Sequence, residues 1–336
     1  MNLEKIARLA GVSTATVSRV INNYPHVSVE VRRRVEEVIA REGFQPNAAA
    51  RALALQKTEV IGVIMPDGVE GLFSSSYFPI LLSGITGAMS KTEYAMSLWG
   101  GQTRLETERI YERILRYRRM DGALLISAAN GYNLSERLIE KQIPVVLMGR
   151  INHPLVSTVH VDSVVAGRMA TEHLIRLGRR RIAHVGGPLD FISAHERHDG
   201  YRLALESSGI PYDSELVVWG DFSEQSGYLL TEPLIKQGID AVFCANDSMA
   251  IGLLRALREQ GIAVPRDIAV IGFDDLPISK SVTPTLSTIR QPIAEKGRVA
   301  TELLIDILNG IVTPPQQVIL PTELIVRESC GALGNY

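Results

Sequence analysis

The chain has little cysteine and no long apolar run. Its only two cysteines, Cys244 and Cys330, form no disulfide framework of the kind found in secreted domains, so a reducing compartment is expected. Cys244 lies in the apolar run 241–245, which predicts a buried small hydrophobic residue. No stretch approaches the roughly 20 apolar residues that span a bilayer, and the charged N-terminus does not resemble a signal peptide. The sequence therefore predicts a soluble protein of the cytoplasm.

Motifs of enzyme chemistry are also lacking. His195 and His198 have no third metal ligand beside them, which argues against zinc. Gly186–Pro188 lacks the third glycine of a dinucleotide fingerprint, and no phosphate-binding loop occurs. Asp274 and Asp275 resemble paired catalytic carboxylates, but no motif places a nucleophile or base beside them. The sequence predicts no enzymatic activity, no cofactor and no metal.

Length and charge indicate more than one domain. A chain of 336 residues is too long for one ordinary core, so two or three folding units are expected. Residues 1–60 contain nine Lys and Arg against six Asp and Glu, a charge of +3, whereas the remainder carries −5. A basic head on an acidic body fits a phosphate-binding module joined to another domain, although chance could also produce so small an excess.

The N-terminal region has the pattern of a helix-turn-helix. Apolar spacing in residues 3–42 predicts three helices. Gly11 permits the turn after the first helix, Ser13 is placed to cap the second helix at Thr14–Ile21, and Gly43 ends the third. In this motif the outer, N-terminal side of the second helix enters the major groove of DNA.

From residue 60 onward, short apolar runs alternate with amphipathic helical stretches. Runs rich in Val and Ile indicate parallel strands that are buried on both faces. The predicted strands are 60–65, 95–99, 123–126, 145–148, 182–185, 241–245 and 268–272. These are too many for one compact sheet, so the predicted fold class is α/β: an N-terminal all-α domain followed by two lobes, each a doubly wound parallel sheet.

An ordered series of segments resembles the LacI/GalR family of bacterial repressors. The segments are IARLAGVSTATVSRVINN, VSVEVRRRVEEVI, GFQPNAAARAL, VIGV, GRRRIAHVGGP, AHERHDGYRLAL, AVFCANDSMAIG, VPRDIAVIGFDD and PTLSTIRQP. They span almost the whole chain. The resemblance implies that the two lobes form a periplasmic-binding-protein-like domain that binds an effector and dimerises.

The resemblance also implies domain boundaries. We expect a DNA-binding domain at 1–46, a hinge helix and linker at 47–57, and the effector-binding and dimerisation domain at 58–336. Within the last, the N-terminal lobe is expected at about 58–161 and 291–320, and the C-terminal lobe at about 162–290 and 321–336.

By the same resemblance, the second helix reads operator DNA. Arg19 matches the arginine that contacts a guanine through a two-donor fork, with a phosphate contact alone as the alternative. Thr14 and Ala15 match the variable base-reading positions. Leu53 matches the leucine that wedges into the minor groove and bends the DNA, or else it packs on the adjacent domain. The remaining residues of the expected DNA-binding set, chiefly phosphate contacts, are Ser13, Thr16, Ser18, Asn22 and Asn47.

The effector site is expected beyond the C-terminal ends of the strands. The residues that follow predicted strands and should line this site are Tyr77, Phe78, Ile80, Ser127 and Ser193. Those that the resemblance places there are Arg150, Arg197, Phe222, Asn246, Asp274 and Gln291. Asp, Asn and Arg around an aromatic ring suit vicinal hydroxyls, which predicts a sugar or nucleoside ligand. Arg150 admits an anionic ligand such as a sugar phosphate or sugar acid, or else it forms an ion pair with Asp162 or another neighbour. Asp247 is expected to cap the following helix rather than contact the ligand.

Together these features predict a ligand-switched repressor that binds a palindromic operator as a homodimer. A solute-binding protein for a sugar or nucleoside is the alternative, and an enzyme on the same fold is a third class. The C-terminal residues have no leucine heptads, which predicts a dimer rather than a tetramer built through a coiled coil.

Overall fold

The structure is a computed structural model. It describes residues 2–22, 24–44, 57–65, 75–101, 104–117, 119–126, 134–151 and 153–332. Contacts divide the chain into two units, residues 1–59 with 119–121, and residues 60–118 with 122–336. No helix in the described ranges is long and apolar enough to cross a membrane.

The first unit contains three short helices: α1 (Leu3–Ala10), α2 (Thr14–Ile21) and α3 (Val29–Glu42). They share a small core formed by Ile6, Ala7, Ala10, Val17, Val20, Val35 and Val38. The Oγ atom of Ser13 accepts a hydrogen bond from the Thr16 amide and caps α2. Gly11 and Gly43 end α1 and α3 in the left-handed conformation, with φ of 64° and 59°. The predicted helices and their caps are confirmed.

The second unit contains twelve described strands in two sheets. The strands are β1 (Val60–Met65), β2 (Ala95–Gly100), β3 (Gly122–Ile126), β4 (Val145–Met148), β5 (Ser157–Val161), β6 (Ile182–Gly186), β7 (Val217–Trp219), β8 (Ala241–Cys244), β9 (Ala269–Asp274), β10 (Ser287–Arg290), β11 (Gln317–Leu320) and β12 (Glu323–Ile325). The first sheet has the order β11-β5-β4-β3-β1-β2 and the second has the order β12-β10-β9-β8-β6-β7. The chain therefore crosses between the sheets after β5, after β10 and after β11.

The described helices of this unit are α4 (Tyr77–Met89), α5 (Arg104–Tyr117), α6 (Leu134–Glu140), α7 (Ser163–Arg176), α8 (Ile192–Ser207), α9 (Glu224–Leu229), α10 (Thr231–Lys236), α11 (Asp247–Glu259) and α12 (Ile293–Leu308), with single 3-10 turns at Ser214–Leu216, Pro277–Lys280 and Glu328–Cys330. Every strand pair is parallel except β10 with β12, which is antiparallel. The prediction of two parallel sheets is thus confirmed, with one antiparallel edge strand in the second. Cys244 is fully buried in β8, as predicted.

Helices α4 and α12 pack closely against each other. A Cβ atom on Gly297 of α12 would lie 2.4 Å from the Leu81 carbonyl oxygen of α4, and one on Gly84 would lie 1.9 Å from the Ala294 carbonyl oxygen. Only glycine permits the two backbones to approach this closely. Because Tyr77 begins α4 and Lys296 lies near the start of α12, this packing holds the two side chains side by side.

Candidate functional site

A cavity of about 490 Å³ opens between the two sheets, at the C-terminal ends of their strands. Nine of the predicted effector residues line it: Tyr77, Phe78, Arg150, Ser193, Arg197, Phe222, Asn246, Asp274 and Gln291. Ile80, in the first turn of α4, is not among the lining residues, because its half-buried side chain packs against the hydrophobic core. Ser127 lies outside the described residues, so its predicted role stays a prediction.

An aromatic wall is held by the cap of α11. Asn246 accepts from the Met249 amide at 2.9 Å, which caps the helix, and donates to the Phe222 carbonyl oxygen at 2.9 Å. Phe222 has a positive φ of 67°, a strained conformation that this hydrogen bond helps to hold. Its ring packs edge-on against Phe191, with 5.7 Å between the ring centroids. The wall therefore offers an apolar plate beside polar groups.

The predicted capping role of Asp247 is wrong, because Asn246 is the cap. Asp247 is fully buried in the first turn of α11, where it accepts hydrogen bonds from the Thr288 hydroxyl at 2.6 Å and the Leu276 amide at 2.8 Å. Burial raises the pKa of this carboxyl well above its usual range. Asp247 thus ties α11 to two other segments of the second lobe.

The guanidinium of Arg197 is buried in the cavity wall. It stacks 3.8 Å from the Phe273 ring centroid and donates to the Ala245 carbonyl oxygen at 2.6 Å. Its Nε atom is buried without a hydrogen-bond partner among the described residues. Burial lowers the pKa of Arg197, and the nearby charge of Asp274 opposes that shift. The guanidinium group of Arg197 is therefore fixed in place, and its Nε–H donor lacks an acceptor among the described residues.

Asp274 begins a chain of hydrogen bonds that links the two lobes. Gln291 donates to its Oδ1 atom at 2.5 Å. The ammonium of Lys296 in turn donates to Gln291 Oε1 at 2.9 Å and to Tyr77 Oη at 2.6 Å. Burial raises the pKa of Asp274 to about 6, an effect that Arg197 opposes. Sequence reasoning missed Lys296, although a lysine on the buried side of α12, beside Ile293 and Gly297, was a visible signal.

A second link between the lobes is the ion pair of Arg150 with Glu196, 2.9 Å long. Arg150 follows β4 of the first sheet, whereas Glu196 belongs to α8 of the second lobe. Burial raises the pKa of Glu196, and Arg150 opposes that shift. The predicted ion pair of Arg150 with Asp162 or another neighbour is thus formed with Glu196 and not with Asp162, whose carboxylate caps α7 by accepting from the Val165 amide at 2.9 Å.

Asp275 does not pair with Asp274 in the cleft. It binds Arg290 at 2.7 Å and also pairs with Arg327, so its carboxylate serves to anchor β10 and the C-terminal segment. His195 contacts the Leu189 carbonyl oxygen and His198 contacts the Tyr212 hydroxyl. In the part of the chain that the structure describes, no three His, Cys, Asp or Glu residues form a potential metal site.

In the first unit, α2 presents polar residues to solvent. Ser13, Thr14, Ala15 and Arg19 are exposed on one side of the helix. The half-buried members of the predicted set are Thr16, Ser18 and Asn22. The Ser13 and Thr16 hydroxyls lie 2.9 Å apart, and Asn22 donates to Ser18 at 3.3 Å, so these side chains brace one another. Asn47 and Leu53 lie outside the described residues.

Comparison with known proteins tests these features. The family described as "Bacterial regulatory proteins, lacI family" matches residues 2–47, and the "Periplasmic binding protein-like domain" matches residues 171–330. The HTH-type transcriptional regulator CelR of Thermobifida fusca is 37% identical over 97% of each chain. The ribose operon repressor of Escherichia coli K12 is 34% identical over 97% of this chain and 99% of the relative.

The chain belongs to the LacI family of bacterial regulatory proteins.

Solved structures agree with this assignment. A CelR–cellobiose complex has a TM-score of 0.78 at 36% identity and covers 98% of this chain and 99% of its own. The lac repressor dimer bound to operator has a TM-score of 0.81 at 26% identity, with the same coverage. This LacI-family protein is thus a DNA-binding transcriptional regulator and not an enzyme, as predicted. Its regulator class also disfavours the alternative of a solute-binding protein.

Proposed function

We propose that this LacI-family protein is a cytoplasmic repressor that binds a palindromic operator as a homodimer and is switched by a sugar or sugar derivative. The observation that carries this proposal is the cavity of about 490 Å³ lined by both lobes, in a chain whose first unit exposes Arg19 on a capped recognition helix.

Operator reading is assigned to α2. Arg19 is exposed and forms no ion pair with any described residue, so its guanidinium is available to DNA. Its two-donor fork matches the O6 and N7 acceptors of guanine. Thr14 and Ala15 offer a hydroxyl and methyl groups to base edges, and Ser13, Thr16, Ser18 and Asn22 supply phosphate contacts that set the register.

A sugar-type effector fits the chemistry of the cavity. Asp274 accepts hydrogen bonds from hydroxyl groups, Arg197 donates to them, and Phe222 covers an apolar C–H face. The solved complex of the relative CelR with cellobiose, and that of an Enterococcus faecium regulator with ribose at 28% identity, support this ligand class.

The two-lobed site also supplies the switch. The Tyr77–Lys296–Gln291–Asp274 chain and the Arg150–Glu196 pair connect groups from both lobes, so a ligand between them changes how the lobes meet. Met96 and Leu98 are exposed on the edge strand β2, a surface that a second copy of the chain would protect. Ligand-dependent contacts in such a dimer would alter the spacing of the two DNA readers.

Selection of random duplex DNA on the full chain tests operator reading. We expect enrichment of a palindrome with two half-sites, and loss of that enrichment in Arg19→Ala. Enrichment of no palindrome by the wild-type chain, with or without sugars at low salt, would contradict the proposed function.

A further inference from the structure

Lys296 is an unusual residue for its position. It is only 6% exposed and lies on the side of α12 that buries Ile293, Gly297 and Ala300. Its ammonium forms no ion pair with a carboxylate of any described residue, and its two acceptors, Tyr77 Oη and Gln291 Oε1, are neutral. A buried ammonium without a counter-charge is costly, so a residue of this kind calls for a partner.

A molecule bound in the cavity could be that partner. An ammonium has three N–H donors, and two of them are used on Tyr77 and Gln291. Lys296 itself lines the cavity wall. The third donor is therefore available to a bound molecule.

The charges around the cavity do not neutralise Lys296. Arg150 and Glu196 neutralise each other. Arg197 and Lys296 then share the carboxylate of Asp274, the one other buried carboxylate in the described cavity wall, so that even its full ionisation leaves one positive charge over. Two further carboxylates of the cavity wall, those of Asp190 and Asp221, belong to exposed residues where water screens them. The buried interior thus has an excess of positive charge.

Helix termini add to this positive field. The first residues of α4 and α8 line the cavity, and α12 begins three residues before Lys296. These helices have 13, 16 and 16 residues, and in none does the N-cap residue form a side-chain hydrogen bond; in α4 one first-turn amide, that of Tyr77, donates to Ser75 Oγ at 3.2 Å. Uncapped N–H groups and the helix dipole favour an anion at such ends and disfavour a cation. Lys296 lies in the first turn of α12, where its positive charge is unfavourable. A bound anion would offset this unfavourable interaction.

We propose that Lys296 is a specificity-determining residue whose ammonium binds an anionic group, so that the effector is an acidic sugar derivative, with a carboxylate or a phosphate monoester, rather than a neutral sugar. This rests on the proposed function of the cavity as a sugar-type effector site. The anion completes the hydrogen bonds of Lys296 and removes the charge excess, while the hydroxyls of the same ligand bind Asp274 and Arg197.

Matched ligands on the full-length chain test this assignment. Calorimetry and thermal unfolding are measured with glucose, glucuronate and glucose 6-phosphate, and with galactose, galacturonate and galactose 6-phosphate. We expect at least one acidic member to bind ten-fold or more tightly than its neutral counterpart. The carboxylate and phosphate arms show which anion the site accepts.

Substitutions then separate charge from hydrogen bonding. Lys296→Met removes both, and Lys296→Gln keeps a donor without the charge. Both substitutions should weaken binding of the acidic ligand by roughly 10–100-fold, the loss expected for a charge-assisted hydrogen bond. The affinity for any neutral sugar should stay within about three-fold of the wild type. Lys296→Arg should restore much of the preference. Lys91→Gln, at an exposed lysine, is the matched control and should change neither. Cooperative thermal unfolding of each variant without ligand verifies that its sensor is folded.

The outcomes distinguish this inference from the proposed function. Equal binding of neutral and acidic sugars by the wild-type chain, or an acid preference that survives in Lys296→Met and Lys296→Gln, would overturn the role of Lys296 and leave the sugar sensor intact. Binding of no member of either series, by a chain that still binds operator, would contradict both. The wild-type comparison of matched pairs decides the charge preference even if a variant is unstable.

Discussion

Replacing Asp274 by Asn is expected to change both the stability of the sensor and its response to the effector. The Asp274 backbone has a positive φ of 118°. Its carboxyl group is buried and accepts one hydrogen bond from the described residues, that of Gln291. Burial raises its pKa from 3.8 to about 6, so the folded chain binds this proton more tightly than the unfolded chain does. Ionisation of Asp274 therefore costs stability, and the cost grows as the pH rises from about 4 through 6.

The size of this cost follows from the pKa difference. Each pKa unit corresponds to about 1.4 kcal/mol, so a shift of about two units lowers the free energy of unfolding by about 3 kcal/mol above pH 7. Roughly half of that loss, on the order of 1 kcal/mol, develops between pH 5 and pH 8. Asp274→Asn cannot ionise, so it should lack this component. The charge-assisted hydrogen bonds that effector hydroxyls donate to the ionised carboxylate should also be lost. Their loss weakens effector binding by roughly 10–100-fold.

Urea unfolding of the wild type and Asp274→Asn at pH 5 and pH 8 measures the first effect. The difference between the two proteins cancels the other titrating groups and the pH-independent loss of contacts to Arg197. Glu93→Gln, at an exposed side chain, is the matched control and should follow the wild type. Calorimetry with the effector measures the second effect. An Asp274→Asn protein with the same pH dependence as the wild type and normal effector affinity would refute the reasoning.

Two further substitutions test the packing and the DNA reader. Gly297→Ala should destabilise the sensor by roughly 1–3 kcal/mol and weaken effector binding, because a Cβ atom there meets the Leu81 carbonyl at 2.4 Å. Gly87→Ala, in the same helix pair but with open space around it, should be neutral or slightly stabilising, and thermal unfolding compares the two. Arg19→Ala should cost about 1–3 kcal/mol of operator binding and relax the preference at one base pair, measured by anisotropy with duplexes substituted at single positions. An equal loss on every duplex would instead indicate a phosphate contact.

The local features of the fold could be predicted from the sequence. Caps and turns depend on a few neighbouring residues, so the bounds of α2 behind Ser13 and the end of α3 at Gly43 were predicted correctly. The strands that consist of continuous Val- and Ile-rich runs, such as β1 and β9, were also predicted. β5 was missed because three of the five residues in its sequence, STVHV, are polar although all five are buried. Its pairing with β11 joins residues 159 and 318, a long-range contact that no local pattern reveals.

The candidate site was predicted as a set of residues but not as a network. The resemblance to the LacI/GalR family and the positions of the strand ends together predicted nine residues that do line the cavity. It did not reveal which groups pair: Glu196, the partner of Arg150, is 46 residues away in the chain and on the other lobe. Asn246 and Asp247 are adjacent and both are able to cap a helix, so only the backbone geometry decides between them. Lys296 was missed because it does not follow a strand and belongs to none of the segments that carry the resemblance, whereas the packing of α12 brings it to the cavity.

The most direct test of the account is the thermodynamic coupling between the two ligands of the intact protein. Operator affinity is measured with and without saturating effector, and effector affinity is measured with and without operator, on the same full-length preparation. Ligand-switched regulation predicts that each ligand changes the affinity of the other by the same factor, typically 5–150-fold, with two chains on each palindromic duplex. Full operator affinity that no bound effector alters would contradict it.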